Sequence, residues 1–155
     1  MSNAPDNPSS EEPFFHREEF PFYWVVNAHA RYTQIMEVTL KKVQLDVSRF
    51  RVLTITDQYG TASISQIAQY AIAKMPTVTK IVGRLREDGL VNALSSERDA
   101  RVTEVTLTPA GKAKVLEAQR LTQKVFNKAF KGMTQAQIVK MNQSLGKVLD
   151  NLNEL

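Results

Sequence analysis

The chain has 155 residues, about one domain's worth, and 43% of them are apolar, enough to bury a core. Its formal charge of +4 includes an acidic cluster near the start, Asp6, Glu11, Glu12, Glu18 and Glu19, so the remainder is more basic than the total and suits a polyanionic partner. The absence of cysteine excludes a disulfide framework, a thiolate zinc site and thiol-based redox sensing.

Residues 1–13 combine Pro5, Pro8, Ser9 and Ser10 with Asn and acidic side chains, a composition that buries too little apolar surface to offset the entropy of ordering it. The expectation there is a flexible tail. From Pro21, the residues Phe22, Val25, His29, Tyr32, Met36, Thr39 and Val43 step by threes and fours, which keeps one stripe on one side of a helix of about 20 residues. Pro21 suits its first turn, where a missing N–H costs nothing. Trp24, Val26, Ile35 and Leu40 lie off that stripe, so more than one neighbour should cover the helix. The longest obvious apolar run, residues 22–26, falls far short of the roughly 18 residues of a membrane span. No basic-then-apolar leader precedes it, and a soluble, cytoplasmic protein with no membrane partner is expected.

Asp46 or Ser48 can cap the next helix, which carries Phe50, Val52, Leu53 and Ile55 and stops near Gly60. Ser63 with Gln66 then caps a short helix burying Ile64, Ile67, Ala68 and Ala71. After Pro76 comes another helix, with Val78, Ile81, Val82 and Leu85 turned inward and Thr77, Thr79, Lys80, Gly83 and Arg84 outward. Gly89 fits its C′ position. Residues 90–94 and 102–107 have strand character, the second through Val102, Thr103, Val105 and Thr106, and residues 95–101 form the loop between them.

Thr108-Pro109 repeats the start of a helix, here a long one through Leu116, Leu121, Val125, Phe126 and Phe130 that Gly132 ends. Thr134 with Gln137 is a second capping box, opening a helix in which Ile138, Met141, Leu145, Val148, Leu152 and Leu155 step by threes and fours. Both ends of the chain therefore offer coiled-coil-like seams, with Phe22 and Val25 on the first and Ile138, Met141, Leu145, Val148 and Leu152 on the last.

Short helix, turn, second helix and charged hairpin, in that order over residues 64–108, is the pattern of a winged helix-turn-helix, which lays one helix in the DNA major groove and reaches sideways with its wing. The fold class is mostly α with a small β-hairpin wing. Lys74, Thr77, Thr79, Lys80, Arg84, Arg98, Asp99 and Arg101 are the candidate DNA-binding residues. Lys80 or Arg84 can donate to guanine N7 and O6 or to phosphate, and a threonine can hydrogen-bond a base or touch a thymine methyl. At the hairpin tip, a carboxylate two residues before a guanidinium can hold that side chain in one pose for a narrow minor groove. A solvated helix face and a charged tip that aids solubility are the competing readings of these residues.

Ile67-Ala68, Thr77-Val78-Thr79, Leu85 through Gly89-Leu90-Val91, Asp99-x-Arg101 and Leu107-Thr108-x-x-Gly111 together resemble the MarR family of transcriptional regulators. The resemblance implies a homodimer built from the N- and C-terminal helices, two winged modules on successive major grooves of a palindromic operator, a recognition helix from Pro76 to about Asp88, and Asp99 bracing Arg101 as it enters the minor groove. It divides the chain into a tail (1–13), an N-terminal dimerisation region (14–45), a DNA-binding module (46–108) and C-terminal dimerisation helices (109–155). Three departures stand out. Met75-Pro76 is a poor opening for the recognition helix, Asn92-Ala93 stands where a basic residue is usual, and the missing cysteines leave no peroxide-sensing chemistry.

Any signal must then arrive as a bound molecule or a partner, and the family precedent is a small aromatic or phenolic effector. Trp24, His29, Tyr32, Met36, Phe50 and Tyr59 are candidates to line its pocket, although aromatic stripes on helices are more often plain core. His29 can also bond across an interface or change charge near about pH 6 to 7. The expected function is a sequence-specific DNA-binding regulator, a repressor, with no cofactor. The alternative is a winged-helix protein–protein interaction module without specific DNA binding, which would more often present aromatic anchors than threonine and basic side chains. An enzyme has little support: His16 and His29 are the only histidines, and no phosphate-cradling loop or zinc-ligand spacing is present.

Overall fold

The computed structural model describes residues 16–155, so the tail expected over residues 1–13 lies outside the described residues. Six helices and three short strands follow in the order α1 (Pro21–Lys41), α2 (Val47–Tyr59), β1 (Thr61–Ser63), α3 (Ile64–Ala71), α4 (Met75–Glu87), β2 (Val91–Ser95), β3 (Thr103–Leu107), α5 (Pro109–Ala129) and α6 (Gln135–Asn153), with a 3-10 turn at Arg17–Glu19 before α1. By internal contacts the described residues form two compact units, 16–35 and 36–155, divided within α1.

In the first unit, the Trp24 indole N–H donates to the Glu18 carbonyl at 2.8 Å, and the rings of Tyr23 and Trp24 meet edge to face. These contacts tie the 3-10 turn to the first turns of α1. The second unit holds the core. Met36 and Leu40 from the end of α1, Leu53 of α2, Ile67 of α3, Val78 and Leu85 of α4, Val91 and Val105 of the sheet and Val115 of α5 are all buried. α2 packs against α3, α4, α5 and β3. Its one buried polar side chain, Thr56, donates to the Val52 carbonyl at 2.9 Å, so burial leaves no orphaned hydroxyl.

Local hydrogen bonds set most helix ends. Asp46, rather than Ser48, caps α2 by accepting from the Arg49 amide at 2.8 Å. Ser63 and Gln66 complete the capping box of α3, and Thr134 and Gln137 that of α6. α4 ends in a Schellman arrangement: Gly89, at φ +73°, occupies C′, and the Leu90 amide donates back to Leu85 at 2.9 Å. α5 opens at Thr108, whose hydroxyl accepts from the Gly111 amide and donates to the Gly89 carbonyl. Gly111 has to be glycine for reasons of space, because a Cβ built there would collide with the carbonyl of Leu90.

Four details differ from the sequence expectations. α4 begins one residue before Pro76: Met75 is its first residue, Pro76 its second, and Lys74 the N-cap, without a side-chain cap hydrogen bond. The wing strands are shifted, β2 running one residue further than residue 94 and β3 beginning at Thr103, because Val102 instead closes the loop by donating to Asp99 and accepting from Ser96. α5 stops at Ala129, so Phe130 is its C-cap and Gly132 lies in the following turn. β1 was not foreseen. It pairs antiparallel with β3 in the order β1-β3-β2, Ala62 opposite Val105 and Ala93 on the other side of Val105. The hairpin is thereby stitched to the segment that leads into α3.

Candidate nucleic-acid interface

The register of α4 separates two faces. Val78, Val82 and Leu85 are buried, Ile81 is half-buried, and Thr77, Thr79, Lys80 and Arg84 are exposed. Pro76, Thr77, Lys80, Ile81 and Arg84 line one groove of about 370 Å³ along this outer face. A second groove, of about 200 Å³, runs where three elements meet: Ser63, Ile64 and Ser65 at the start of α3, Met75 and Thr79 in α4, and Arg101, Val102 and Thr103 at the base and tip of the wing. The two grooves share α4. The fold therefore brings the wing's Arg101 to the same surface as the exposed face of the helix, although the two are separated by more than a full strand of sequence.

Asp99 organises that tip. Its Oδ1 accepts from the Arg101 backbone amide at 3.0 Å and from Arg101 Nε at 3.1 Å, while Oδ2 accepts from a terminal guanidinium nitrogen at 3.1 Å. The forked contact fixes the guanidinium plane, yet the Arg101 side chain remains 91% exposed. The side-chain hydrogen bonds from Arg101, and then the one from its amide, hold the Asp99 carboxyl below the usual carboxylate range. Behind the tip, the Ser96 hydroxyl accepts from the Arg98 amide and the Ser96 amide donates to Val102, which closes the loop.

Among the described residues, Lys74, Lys80, Arg84 and Arg98 form no ion pair. Their charge is available to a polyanion. Arg86 lies on the same helix but was not among the expected contacts, and Arg49 is turned elsewhere: it bonds to Asp46 at 2.8 Å and to Asp88 at 3.4 Å, tying the start of α2 to the end of α4. Ser63, Ser65, Met75 and Thr103 are among the groove residues that were not expected as contacts from the sequence. Ser65 carried one usable signal, an exposed hydroxyl in the first turn of a capped helix, and Thr103 carried none, because its position depends on how the hairpin folds over.

The residues suggested for an effector pocket are dispersed in character. In the first unit, Trp24, His29 and Tyr32 are exposed. In the second, Met36 is buried in the core, Phe50 is half-buried against it, and Tyr59 is exposed with its ring stacked on Tyr70 at 4.8 Å. The hydrogen bond with Tyr70, helped by partial desolvation, raises the Tyr59 phenol above its ordinary range. Of the suggested dimerisation residues, Phe22 and Val25 of α1 are exposed, as are Leu145, Val148 and Leu152 of α6, with Ile138 and Met141 half-buried. α6 buries none of its residues within the chain. No described helix is long and apolar enough to cross a membrane, and no described cluster of His, Asp or Glu is suited to a metal ion.

Comparison with known proteins places this geometry in context. A family model described as MarR family matches residues 45–103. The HTH-type transcriptional repressor IacR of Pseudomonas putida is 48% identical over 149 residues, spanning 96% of this chain and 88% of the relative. Among solved structures, Bordetella bronchiseptica BpsR, whose regulation of DNA binding by 6-hydroxynicotinic acid is the subject of that structure, superposes with a TM-score of 0.78 at 26% identity over 90% of this chain and 99% of that one. A cysteine-to-serine mutant of E. coli MarR complexed with operator DNA superposes with a TM-score of 0.75 at 20% identity, over 89% of this chain and 99% of that one.

Proposed function

Because the chain belongs to the MarR family of transcriptional regulators, which are non-enzymatic DNA-binding proteins, we propose that it is a repressor that binds a palindromic operator as a homodimer and is released by a small aromatic or phenolic molecule. Residues 46–108 act as the DNA-reading module in this reading, and apolar residues of α1 and α6 meet a second copy of the chain. The approach of Arg101 to Met75 and Thr79 of α4 in one groove, with Thr77, Lys80 and Arg84 lining a second groove on the same helix, carries the proposal. Thr77, Thr79, Lys80 and Arg84 enter the major groove, Arg101 enters the flanking minor groove, and Lys74 and Arg98 contact phosphates.

Repression is supported by the IacR likeness, and release by an aromatic effector by the BpsR neighbour, whose described regulator is a hydroxylated pyridine acid. Trp24, His29, Tyr32, Met36, Phe50 and Tyr59 are the residues proposed to take part in that response. A DNA-bound repressor of this kind works in the cytoplasm.

The test is a gel-shift titration, with nuclease footprinting of the bound complex, on the DNA immediately upstream of the protein's own gene, with a scrambled duplex of equal length as control. The proposal expects protection of an inverted repeat whose half-site centres lie about one helical turn apart, and loss of the shifted band when the right aromatic compound is added. Equal affinity for both duplexes at every salt concentration would sink it.

A further inference from the structure

The two threonines on the outer face of α4 are not chemically equivalent. The Thr79 hydroxyl donates its proton to the carbonyl of Met75, one turn earlier, at 2.9 Å. Thr77 makes no side-chain hydrogen bond among the described residues and lines the outer groove beside Lys80 and Arg84. Thr79 lines the other groove, between α4 and the wing, where the exposed Met75 and the half-buried Val102 stand beside the polar Ser63, Ser65, Arg101 and Thr103. With its proton committed to the helix backbone, the Thr79 hydroxyl can only accept, and the major-groove edge of thymine offers an acceptor and a methyl but no donor, so toward that base the group Thr79 has left to present is its γ-methyl.

From this geometry we infer that Thr79 is a specificity-determining residue that recognises the 5-methyl group of a thymine by apolar contact, whereas Thr77 supplies the hydrogen-bonding hydroxyl of the helix. In the major groove, thymine is the base that carries a methyl at C5, so a buried methyl–methyl contact selects T without any hydrogen bond. The inference rests on the reading of α4 as the DNA-facing helix, and it adds which threonine reads which chemistry.

Deoxyuridine differs from thymidine only in lacking that methyl, which makes the contact separable from every hydrogen bond in the duplex. The full-length protein, T79V and T79S are compared on the operator selected from random duplexes, with thymines replaced one position at a time by deoxyuridine. Valine keeps a methyl in the place of the threonine methyl and removes the hydroxyl, and serine does the reverse. The wild-type protein should lose about fourfold in affinity at one thymine per half-site when its methyl is removed, the effect of one buried methyl. T79V should retain the sensitivity to deoxyuridine at that thymine. T79S should bind the unmodified operator about as weakly as the wild type binds an operator substituted at that thymine in both half-sites, and should be indifferent to the substitution.

If the wild type discriminates the operator from random DNA yet tolerates deoxyuridine at every position, the methyl contact is wrong and the DNA-binding reading survives. If T79V loses binding while T79S keeps it, Thr79 acts through its hydroxyl and the inference is likewise overturned. If no duplex is discriminated at all, both the inference and the functional reading fall together.

Discussion

Arg101 is nearly fully exposed, and the Asp99 carboxylate holds it in one orientation by three hydrogen bonds. An exposed arginine normally samples many rotamers, and each one frozen on binding costs free energy. In the proposed complex, Asp99 would remove part of that cost before DNA arrives. Arg101→Ala should therefore weaken operator binding by about tenfold to a hundredfold and flatten discrimination at A·T pairs in the flanking minor groove, measured by gel shift on sequence variants. Unchanged affinity would remove the wing from the mechanism. Since the folded Asp99 carboxyl titrates below its ordinary range, the stabilisation it provides is present above that ordinary range and is lost only as the pH falls through the lowered value. The brace should thus be indifferent to pH between about 5 and 8, well above the ordinary carboxylate range. Gly111 supplies a second residue-level test. Gly111→Ala would push a methyl into the Leu90 carbonyl, which already accepts from Thr108, and should destabilise the protein by about 2 kcal/mol in urea unfolding.

The elements around α4 differ in how their termini are capped. α3, α5 and α6 have side-chain caps, whereas α4 starts at Lys74 with none and relies on Pro76 at its second position to set φ. α3 ends at Ile72, a β-branched residue in the left-handed conformation at φ 53° and 93% exposed. That conformation crowds a β-branched side chain, and so exposed a side chain gains almost nothing from packing. Ile72→Asn should stabilise the protein by about 1 kcal/mol, because asparagine tolerates this region and no buried contact is lost. A thermal melt that shows no gain would mean that the turn relaxes at no cost. Arg49, in ion pairs with Asp46 and Asp88, and Arg51, donating to the Ala71 carbonyl, fasten α2 to the ends of α4 and α3. The helix-turn-helix is thus tied to α2 beside the turn between its two helices and at its C-terminal end.

On the scale of the whole molecule, α6 leaves most of its apolar residues exposed and buries none of them among the described residues. Leu145, Val148, Leu149 and Leu152 are all substantially exposed, and a capped 19-residue helix with such a face is stable in water chiefly when something covers it. In the proposed homodimer a second copy does so. Leu145 is 46% exposed, so Leu145→Glu should leave each protomer folded while placing like charges together across a two-fold axis. Sedimentation should then report monomers, and tight binding to the full operator should give way to weak half-site binding. A variant that stayed dimeric would show that the interface lies elsewhere.

Features written in short-range hydrogen bonds were legible in the sequence. The capping boxes at Ser63 and Thr134, the Gly89 helix stop, the Thr108-Pro109 start and the inward face of α4 each involve residues within a turn of one another, so spacing alone reveals them. The Asp99–Arg101 pair was legible for the same reason. β1 was not, since three residues carry no periodicity and its partner strand lies some forty positions away. Nor was the N-cap of α4, because Lys74 has no side-chain acceptor to announce it. Residue order and chemistry by themselves determined the six helices, the two wing strands, the family likeness and the positive, threonine-bearing helix. Only the folded chain decided that Arg101, Ser65 and Thr79 share one groove and that the Thr79 hydroxyl turns inward, because both depend on long-range packing of the hairpin against α3 and α4 and on a side-chain torsion that no linear pattern encodes.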